Sequence, residues 1–247
     1  MRIGVCVKQV QTYPSEPMIN PADVFAVEEA LRIRERLGGS VTVMSMGAES
    51  VEKSLRKCVA LGADKGVLLT DRLFAGSDTL ATANVLSRGF IEIGKPDLII
   101  CGTHSIDGET AQVGPSLAEK LAIPHTTHVV EIICVEEQHI LCKRMTDEGY
   151  EWVDLTLPAL ITVAKGINQP RMATVKGILG ANRSEITRLS AKDLHLEPQA
   201  CGLAGSPTRV KGTHAVTERK IEFTVTGDSL HEQVDYIVHQ LLNAMKV

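Results

Sequence analysis

The residues whose types could bind a charged ligand lie together at 101–116, with the sequence CGTHSIDGETAQVGPS. An apolar run at 98–100 precedes this stretch, and a short helical pattern at 117–121 follows it. In open α/β sheets, ligands bind where a buried strand ends and a helix begins, because main-chain N–H groups are free there. The stretch is therefore a candidate phosphate-binding loop, and on local physics alone a polar turn explains it equally well.

Neutral side chains in the stretch offer hydrogen-bond donors that suit phosphate oxygens. They are Ser105, Thr110, Gln112 and Ser116. Three glycines, Gly102, Gly108 and Gly114, permit close approaches and backbone conformations that side chains would block. The spacing fits neither G-x-x-x-x-G-K-[ST] nor G-x-G-x-x-G, and the stretch contains no lysine. It would thus bind phosphate through neutral donors and main-chain N–H groups.

The sequence offers no clear catalytic group. Asp107 and Glu109 could suggest acid–base chemistry, but beside a helix N-terminus they are better explained as carboxylates favoured by the helix dipole. His104, His125 and His128 lie near one another without a carboxylate or cysteine at metal-ligand spacing. We assign no catalytic side chain and no metal site, so any redox chemistry would belong to a bound flavin.

Composition argues against several classes of protein. A net charge of −4, a pI near 6.1 and an aromatic content of 3% argue against nucleic-acid binding. No apolar run approaches the length of a membrane span. The six cysteines form no C-x-x-C pair, and Cys6, Cys101 and Cys134 fall inside apolar runs, as is typical of buried thiols in a reducing compartment. Met1 leads into a strand without a signal or transit peptide. We predict a cytoplasmic protein with no nucleic-acid or membrane partner.

Strand and helix patterns alternate four times over the first half of the chain. Predicted strands lie at 2–10, 41–46, 66–69 and 98–100, and predicted helices at 21–37, 50–61, 79–93 and 117–121. Helices between strands allow right-handed crossovers in a parallel sheet covered on both faces. The pattern predicts an α/β fold with a doubly wound, mostly parallel sheet of the adenine nucleotide alpha hydrolase-like type.

The second half of the chain has a different pattern of predicted elements. Strand-like runs at 128–135, 139–145, 150–155 and 159–163 have short connections, which favours an antiparallel meander extending the sheet. An irregular polar loop at 165–173 and a helical segment beginning near Lys176 follow. We place the end of this α/β domain at residue 195, giving a domain over 1–195.

Residues 196–247 are predicted to form an extended arm. The segment 195–212 is rich in Pro, Gly and Ser and reads as a linker without a core of its own. Residues 228–247 carry apolar side chains at helical spacing, including Met245. Such a helix either folds back on its own domain or embraces a partner subunit, and the pattern favours neither.

Five motifs resemble the β subunit of the electron transfer flavoprotein (ETF) family. They lie at 7–10 (VKQV), 20–32 (NP followed by AVEEALR), 105–115 (SIDGETAQVGP), 157–160 (LPAL) and 168–171 (NQPR). The likeness runs in register from residue 1 to about 195. The sequence departs from the family pattern at Ser105, at Glu109 and at 181–183, where a lysine cluster is common.

The resemblance implies a heterodimer in which an ETF α subunit holds the electron-carrying FAD. The β subunit would supply an adenine-nucleotide domain and the arm at 196–247 that embraces the α subunit. By position, the nucleotide should contact Cys6, Val7, Lys8, Asn20, Pro21, Ala22, Asp23, Met46, Gly102, Ser105, Ile106, Asp107, Gly108, Glu109, Thr110, Ala111, Gln112, Val113, Gly114, Pro115 and Ser116. The Asn20 amide is suited to contact adenine or ribose.

The nucleotide implied by the resemblance is AMP in plain carriers and a second FAD in flavin-bifurcating members. Residues 163–168 (VAKGIN) resemble the bifurcating members more, which favours FAD. A β-subunit FAD would take hydride from NADH and split the electron pair. One electron would pass through the α-subunit FAD and the other to a ferredoxin or flavodoxin.

The resemblance further implies a recognition loop for an acyl-CoA or other flavin dehydrogenase, with Ile167 at its apolar tip. The loop residues are Lys165, Gly166, Ile167, Asn168, Gln169, Pro170 and Arg171. The alternative is a solvated loop, because loops are exposed by default.

Two other classes compete with a redox carrier subunit. An enzyme of the ATP-pyrophosphatase type would carry S-G-G-x-D-S after the first strand, and residues 8–12 lack it. A stand-alone nucleotide-binding stress or regulatory protein usually has G-x-x-G followed by G-[ST], whereas Ser105 stands three residues after Gly102. Such a protein would also be stable alone, whereas the arm predicts dependence on a partner.

Overall fold

The fold is built on a nine-stranded, mostly parallel sheet with helices on both faces. The computed structural model describes residues 1–11, 16–212 and 226–244. The strands are β1 (Arg2–Cys6), β2 (Gln9–Val10), β3 (Met18–Ile19), β4 (Ser40–Met46), β5 (Lys65–Leu69), β6 (Leu98–Gly102), β7 (His125–Val135), β8 (His139–Thr146), β9 (Gly149–Thr156), β10 (Ala159–Val163) and β11 (Ile186–Leu189). The helices are α1 (Pro21–Leu37), α2 (Glu52–Leu61), α3 (Thr79–Glu92), α4 (Val113–Leu121), α5 (Val175–Arg183) and α6 (Leu230–Ala244).

The sheet order is β11-β5-β4-β1-β6-β10-β7-β8-β9, and β2 and β3 form a separate antiparallel pair. From β1 the chain runs outward through β4 and β5, then crosses back to place β6 on the other side of β1. The connections after β1 and β6 therefore diverge. In doubly wound sheets this divergence opens a crevice at the carboxyl ends of the strands. The predicted α/β class and parallel sheet are confirmed.

Two aliphatic cores hold the layers together. One core packs α1 and α2 against one face of the sheet, and the other packs α3 and α4 against the opposite face. The central strand β10 is buried at every position. Few aromatic side chains take part: Phe90 of α3 and Phe74 are the buried ones among the described residues. Branched aliphatic side chains therefore supply most of the hydrophobic stabilisation.

Local signals set the helix ends as predicted. Pro21 begins α1, where its missing N–H needs no partner, and Gly38 ends it with a positive φ of 75°. Gly62 ends α2 in the same way, at φ 128°. The Asp78 carboxylate caps α3 by accepting two main-chain N–H groups of its first turn at 3.0 Å.

The predicted antiparallel pairing of residues 159–163 is wrong. Strand β10 inserts between β6 and β7 and is parallel to both, so the antiparallel meander comprises β7, β8 and β9 only. A fully apolar sequence without alternation is typical of a strand that is buried on both faces, and ALITV has this character. The antiparallel prediction was based on the short connection from β9 to β10 instead of on this apolar character.

The predicted domain boundary at residue 195 lies inside a compact part of the structure. The compact unit runs over Met1–Arg209, and Leu194, Leu196 and Cys201 are buried in its second core. The edge strand β11, which pairs in parallel with β5, was not predicted. Four residues leave too short an apolar pattern to identify a strand. Residues 12–15, 213–225 and 245–247, which include the predicted end of the last helix with Met245, lie outside the described residues.

The unit over Val210–Val247 contains α6. Its apolar side chains are exposed: Leu230, Val234, Ile237, Val238, Leu241 and Leu242. Among the described helices, none is both long and apolar enough to cross a membrane.

The antiparallel end of the sheet carries an exposed aromatic pair on β9. Trp152 is 63% exposed and Tyr150 is 56% exposed. The Lys143 ammonium on β8 lies 5.5 Å from the Trp152 ring and 4.5 Å from the Tyr150 ring. Cation–π contacts at such distances fix the orientation of exposed rings.

Arg171 anchors the loop after β10 to α1. Its guanidinium donates to both carboxylate oxygens of Glu28, at 2.8 and 3.1 Å, and also pairs with Glu35. Glu28 is 4% exposed, so its charge depends on these partners. Arg32 reaches the same carboxylate at 3.0 Å from a more exposed position.

Replacing Arg171 should therefore destabilise the fold more than replacing Arg32. We expect Arg171→Gln to lower the free energy of unfolding by about 2 kcal/mol, because it leaves the buried carboxylate with the partly exposed Arg32 and the main-chain N–H of residue 171 as its partners. Arg32→Gln should cost less than about 1 kcal/mol, as for exposed i,i+4 pairs. Urea denaturation of the two variants measures the difference, and equal losses would contradict the anchoring role of Arg171.

Candidate functional site

The predicted cofactor residues gather at the carboxyl ends of β1, β4 and β6. Cys6 and Lys8 lie at the end of β1, Met46 ends β4, and Gly102 ends β6. The remaining ones start α1, form the loop at 105–111, or start α4. Because β1 and β6 are neighbours whose connections diverge, this is the crevice expected of the topology.

Asn20 holds the loop through its side-chain amide. The amide N–H groups donate to the Asp23 carboxylate and to the His104 carbonyl, both at 2.9 Å, and the amide oxygen accepts from Ile106 N–H at 3.2 Å. The residue is 1% exposed. Both ends of the amide are therefore used within the protein, and the predicted contact of Asn20 with adenine or ribose stays a prediction.

The Asp23 carboxylate is buried in the middle of this network, with the residue 7% exposed. It accepts from Lys8 N–H at 2.7 Å, from the Asn20 amide, and from the main chain of Gly102. Burial raises the pKa of Asp23 to about 7, against the lowering effect of these hydrogen bonds. The carboxylate joins the end of β1, the start of α1 and the end of β6.

Lys8 brings a cation to the loop. Its ammonium lies 2.7 Å from the Asp107 carboxylate and 3.4 Å from the Ser105 hydroxyl. Partial burial opposes ionisation of Asp107, but hydrogen bonds from Lys8 and Ser105 hold its pKa below the ordinary value. The predicted binding of phosphate through neutral donors stays a prediction, and the structure adds the Lys8 ammonium to the groups beside the loop. Neighbouring parallel strands end at the same edge, and this was the signal that could have placed Lys8 here.

The main chain of the loop is shaped to bind an anion. Glu109 and Ala111 adopt positive φ angles of 49° and 53°, which are uncommon for residues other than glycine. Alternation with left-handed residues turns successive N–H groups toward one side and makes an anion-binding concavity. Within the described loop, the N–H groups of Gly108, Thr110 and Ala111 have no hydrogen-bond partner. The N-terminus of α4 follows directly.

The glycines of the stretch serve close packing, and none of the three has a positive φ. A Cβ on Gly102 would lie 2.8 Å from the main-chain carbon of Ala22, and one on Gly114 would lie 2.6 Å from the Thr162 methyl. A Cβ on Gly108 would meet nothing closer than Ser105 Oγ at 3.5 Å. Gly102 and Gly114 thus allow protein elements to pack around the crevice.

Two further residues support the site and were missed by sequence reasoning. The buried Thr103 donates its hydroxyl hydrogen to the Val163 carbonyl at 2.8 Å, which joins the connection after β6 to β10. The Thr79 hydroxyl lies 3.1 Å from Gln112 Oε1 and joins the start of α3 to the start of α4. Both contacts cross between distant segments, so no local pattern could reveal them.

Cys6 and Cys101 lie side by side on β1 and β6. The hydrogen bond with Cys101, together with burial, raises the pKa of the Cys6 thiol well above its ordinary value. The Cys6 thiol is therefore a neutral packing group.

The predicted partner loop at 165–171 is held down on α1. Asn168 donates to the Phe25 carbonyl at 2.9 Å and to Glu29 at 2.8 Å. Ile167, predicted as the apolar tip, is half-buried and packs against the first core. Two strongly exposed apolar side chains lie just beyond the loop, Met172 (89% exposed) and Val175 (75% exposed).

Several known proteins are similar to this chain in sequence. The model of the electron transfer flavoprotein domain matches residues 14–194. The electron transfer flavoprotein subunit beta of Thermoanaerobacterium thermosaccharolyticum is 44% identical, over 91% of this chain and 85% of the relative. The caffeyl-CoA reductase-Etf complex subunit CarD of Acetobacterium woodii is 38% identical over 98% of both chains. The acryloyl-CoA reductase electron transfer subunit gamma of Anaerotignum propionicum is 35% identical over 98% of both chains.

Gly102 and Gly108 form a matched pair for testing the packing around the crevice. Gly102→Ala should lower the free energy of unfolding by about 2 kcal/mol, because its Cβ would meet main-chain atoms that cannot move away. Gly108→Ala should cost less than about 0.5 kcal/mol. Denaturant titration of the full chain tests both, and a tolerated Gly102→Ala would contradict the close approach of β6 and α1.

The raised pKa of Asp23 predicts a pH-dependent stability. Between about pH 4 and 7 the folded state holds a proton that the unfolded state releases, so the contribution of Asp23 falls as the pH rises. The slope is about 1.4 kcal/mol per pH unit over that window. Asp23→Asn should remove this slope from the pH profile of the unfolding free energy. Parallel profiles for the wild type and the variant would show that Asp23 is ionised at acidic pH.

Proposed function

Because this chain belongs to the electron transfer flavoprotein family, we propose that it is the nucleotide-binding subunit of a heterodimer. It resembles the β-type subunits of the family over nearly its full length. The proposed heterodimer passes electrons between a flavin dehydrogenase and other redox partners. The part of this chain is to bind an adenine nucleotide in the crevice between β1 and β6. The observation that carries this proposal is the loop at 105–111, in which Glu109 and Ala111 have positive φ angles, with the Lys8 ammonium beside it.

The donor set fits the phosphate groups of an adenine nucleotide. The Lys8 ammonium, the free N–H groups of Gly108, Thr110 and Ala111, and the N-terminus of α4 offer a cation, neutral donors and a positive dipole end. On binding, a phosphate would compete with Asp107 for the Lys8 ammonium. The exposed main chain of the loop supports entry of the ligand from solvent.

We propose FAD as the nucleotide, with AMP as the alternative. Both carry an adenosine and the phosphate that the loop suits, so the donor set accommodates either. A bound FAD would supply hydride acceptance from NADH and delivery of electrons one at a time. Support for FAD comes from VAKGIN at 163–168 and from similarity to subunits named for caffeyl-CoA and acryloyl-CoA reductase complexes.

The proposed partners use surfaces outside the crevice. The exposed apolar side chains of α6 suit contact with the FAD-containing α subunit. The loop at 165–171 is the proposed contact for an acyl-CoA or other flavin dehydrogenase. Since Ile167 is half-buried, we extend this surface to Met172 and Val175. A ferredoxin or flavodoxin would take the low-potential electron.

The first test is a cofactor count on the protein purified with its native α partner. The complex is denatured, and the released FAD and AMP are separated and quantified per heterodimer. We expect two FAD and no AMP. One FAD with one AMP would replace bifurcation by a single-flavin carrier, and no nucleotide together with no copurifying partner would overturn the proposed function.

A further inference from the structure

Asp23 and Asn20 form a relay of hydrogen bonds that ends on the main chain of the anion-binding loop. One Asp23 oxygen, Oδ2, accepts from Lys8 N–H at 2.7 Å. The other, Oδ1, accepts from Asn20 Nδ2 at 2.9 Å. Asn20 in turn bonds the His104 carbonyl and Ile106 N–H, on either side of Ser105. The relay therefore connects a buried carboxylate to the residues that begin the loop.

The carboxylate fixes the direction of the amide. The ionised Asp23 carboxylate offers only acceptors, so the Asn20 amide must turn its nitrogen toward Asp23 and toward the His104 carbonyl. Its oxygen is then directed at Ile106 N–H. A flipped amide would set oxygen against two acceptors and leave Ile106 N–H facing a donor. Asp23 thus selects the one orientation that holds both sides of Ser105.

Neither side chain is available to a ligand. Asn20 is 1% exposed and Asp23 is 7% exposed, and each is saturated by contacts within the protein. Their effect on a nucleotide must therefore pass through the loop. The same relay sets the main chain next to Ser105 and the Lys8 main chain, from which the ammonium reaches the loop.

We propose that Asn20 and Asp23 are positioning residues that pre-organise the loop at 105–111, so that its N–H groups and the Lys8 ammonium converge on a nucleotide phosphate without either residue touching the ligand. This inference rests on the proposed function, because it deepens the description of the same site. Pre-organised donors bind more tightly, since the cost of ordering the loop is met during folding.

The relay should make nucleotide affinity depend on pH. Protonated Asp23 would place an O–H hydrogen among N–H donors, so the ionised form is the one that holds the relay. The titratable groups around Asp23 are Lys8 and Cys6 on the β1 side, Cys101 on β6 and Cys58 on α2. Burial raises the pKa of Cys58 to about 12, so this thiol stays neutral at pH 6–8, and acidification through neutrality acts on Asp23.

The test uses the full-length complex with its α partner, stripped of nucleotide and titrated with AMP and, separately, FAD by calorimetry. We compare the wild type, Asn20→Ala, Asp23→Asn and Asp97→Asn. Asp97 is the matched control, because its carboxylate also accepts a main-chain N–H, from Arg2 at 2.7 Å, but at the amino ends of the strands. We expect at least tenfold weaker binding for the first two variants and wild-type affinity for the control.

Two further readouts separate positioning from direct contact. Hydrogen exchange of residues 105–111 in the nucleotide-free complex should quicken in Asn20→Ala and stay unchanged in Asp97→Asn. Affinity for AMP should fall from pH 8 to pH 6 more steeply in the wild type than in Asp23→Asn. Because the phosphate of AMP titrates equally in both measurements, its effect cancels in this comparison. Should Asp23→Asn fail to fold, Asn20→Ala carries both the exchange and the affinity measurements.

Weaker binding with unchanged loop exchange would overturn the proposal in favour of direct ligand contact. Unchanged affinity in Asn20→Ala would overturn it as well. Failure of the proposed function has a different signature: the wild-type complex would bind neither AMP nor FAD. The exchange measurement, which needs no nucleotide, would still show whether Asn20 orders the loop.

Discussion

A carboxylate buried among main-chain N–H groups is the constraint on which the rest of the crevice depends. The Asp23 carboxylate leaves water at a cost, and only dense hydrogen bonding offsets it. Those hydrogen bonds come from three segments that are far apart in sequence: the end of β1, the start of α1 and the end of β6. Hydrogen bonding of the Asp23 carboxylate therefore fixes the positions of β1, α1 and β6 relative to one another.

The packing around the crevice also depends on two glycines, which carry no side chain. Gly102 lets β6 approach the first turn of α1, and Gly114 lets α4 approach β10. If either carried a Cβ, the walls of the crevice would separate and the Asp23 carboxylate would lose its surroundings. In the loop, Glu109 and Ala111 adopt left-handed conformations that the surrounding contacts make tolerable.

The sequence predicted features that depend on local chemistry. The class of sheet, the helix starts at Pro21 and Asp78, and the helix ends at Gly38 and Gly62 follow from residue type and spacing. The location of the candidate site also followed, because a strand–loop–helix pattern is contiguous in the chain.

Features that depend on contacts between distant segments were not predictable in this way. The parallel insertion of β10 is decided by which neighbours bury its two faces, and residues 194–201 find their core only after the sheet exists. Lys8 reaches a loop that lies almost a hundred residues later, and the Asn20 amide is consumed by partners that no local pattern identifies. The sequence pattern predicted the residues of the candidate site, whereas the roles of Lys8 and Asn20 depend on contacts between distant segments of the chain.

The aromatic pair on β9 has a practical consequence. Trp152 is the only tryptophan in the chain and stands exposed at the antiparallel end of the sheet, far along the strand order from β1 and β6. Its intrinsic fluorescence therefore comes from one known place. The emission maximum should shift to the blue when another surface covers that end and should keep its wavelength while the crevice fills, so the wavelength reports assembly separately from ligand loading.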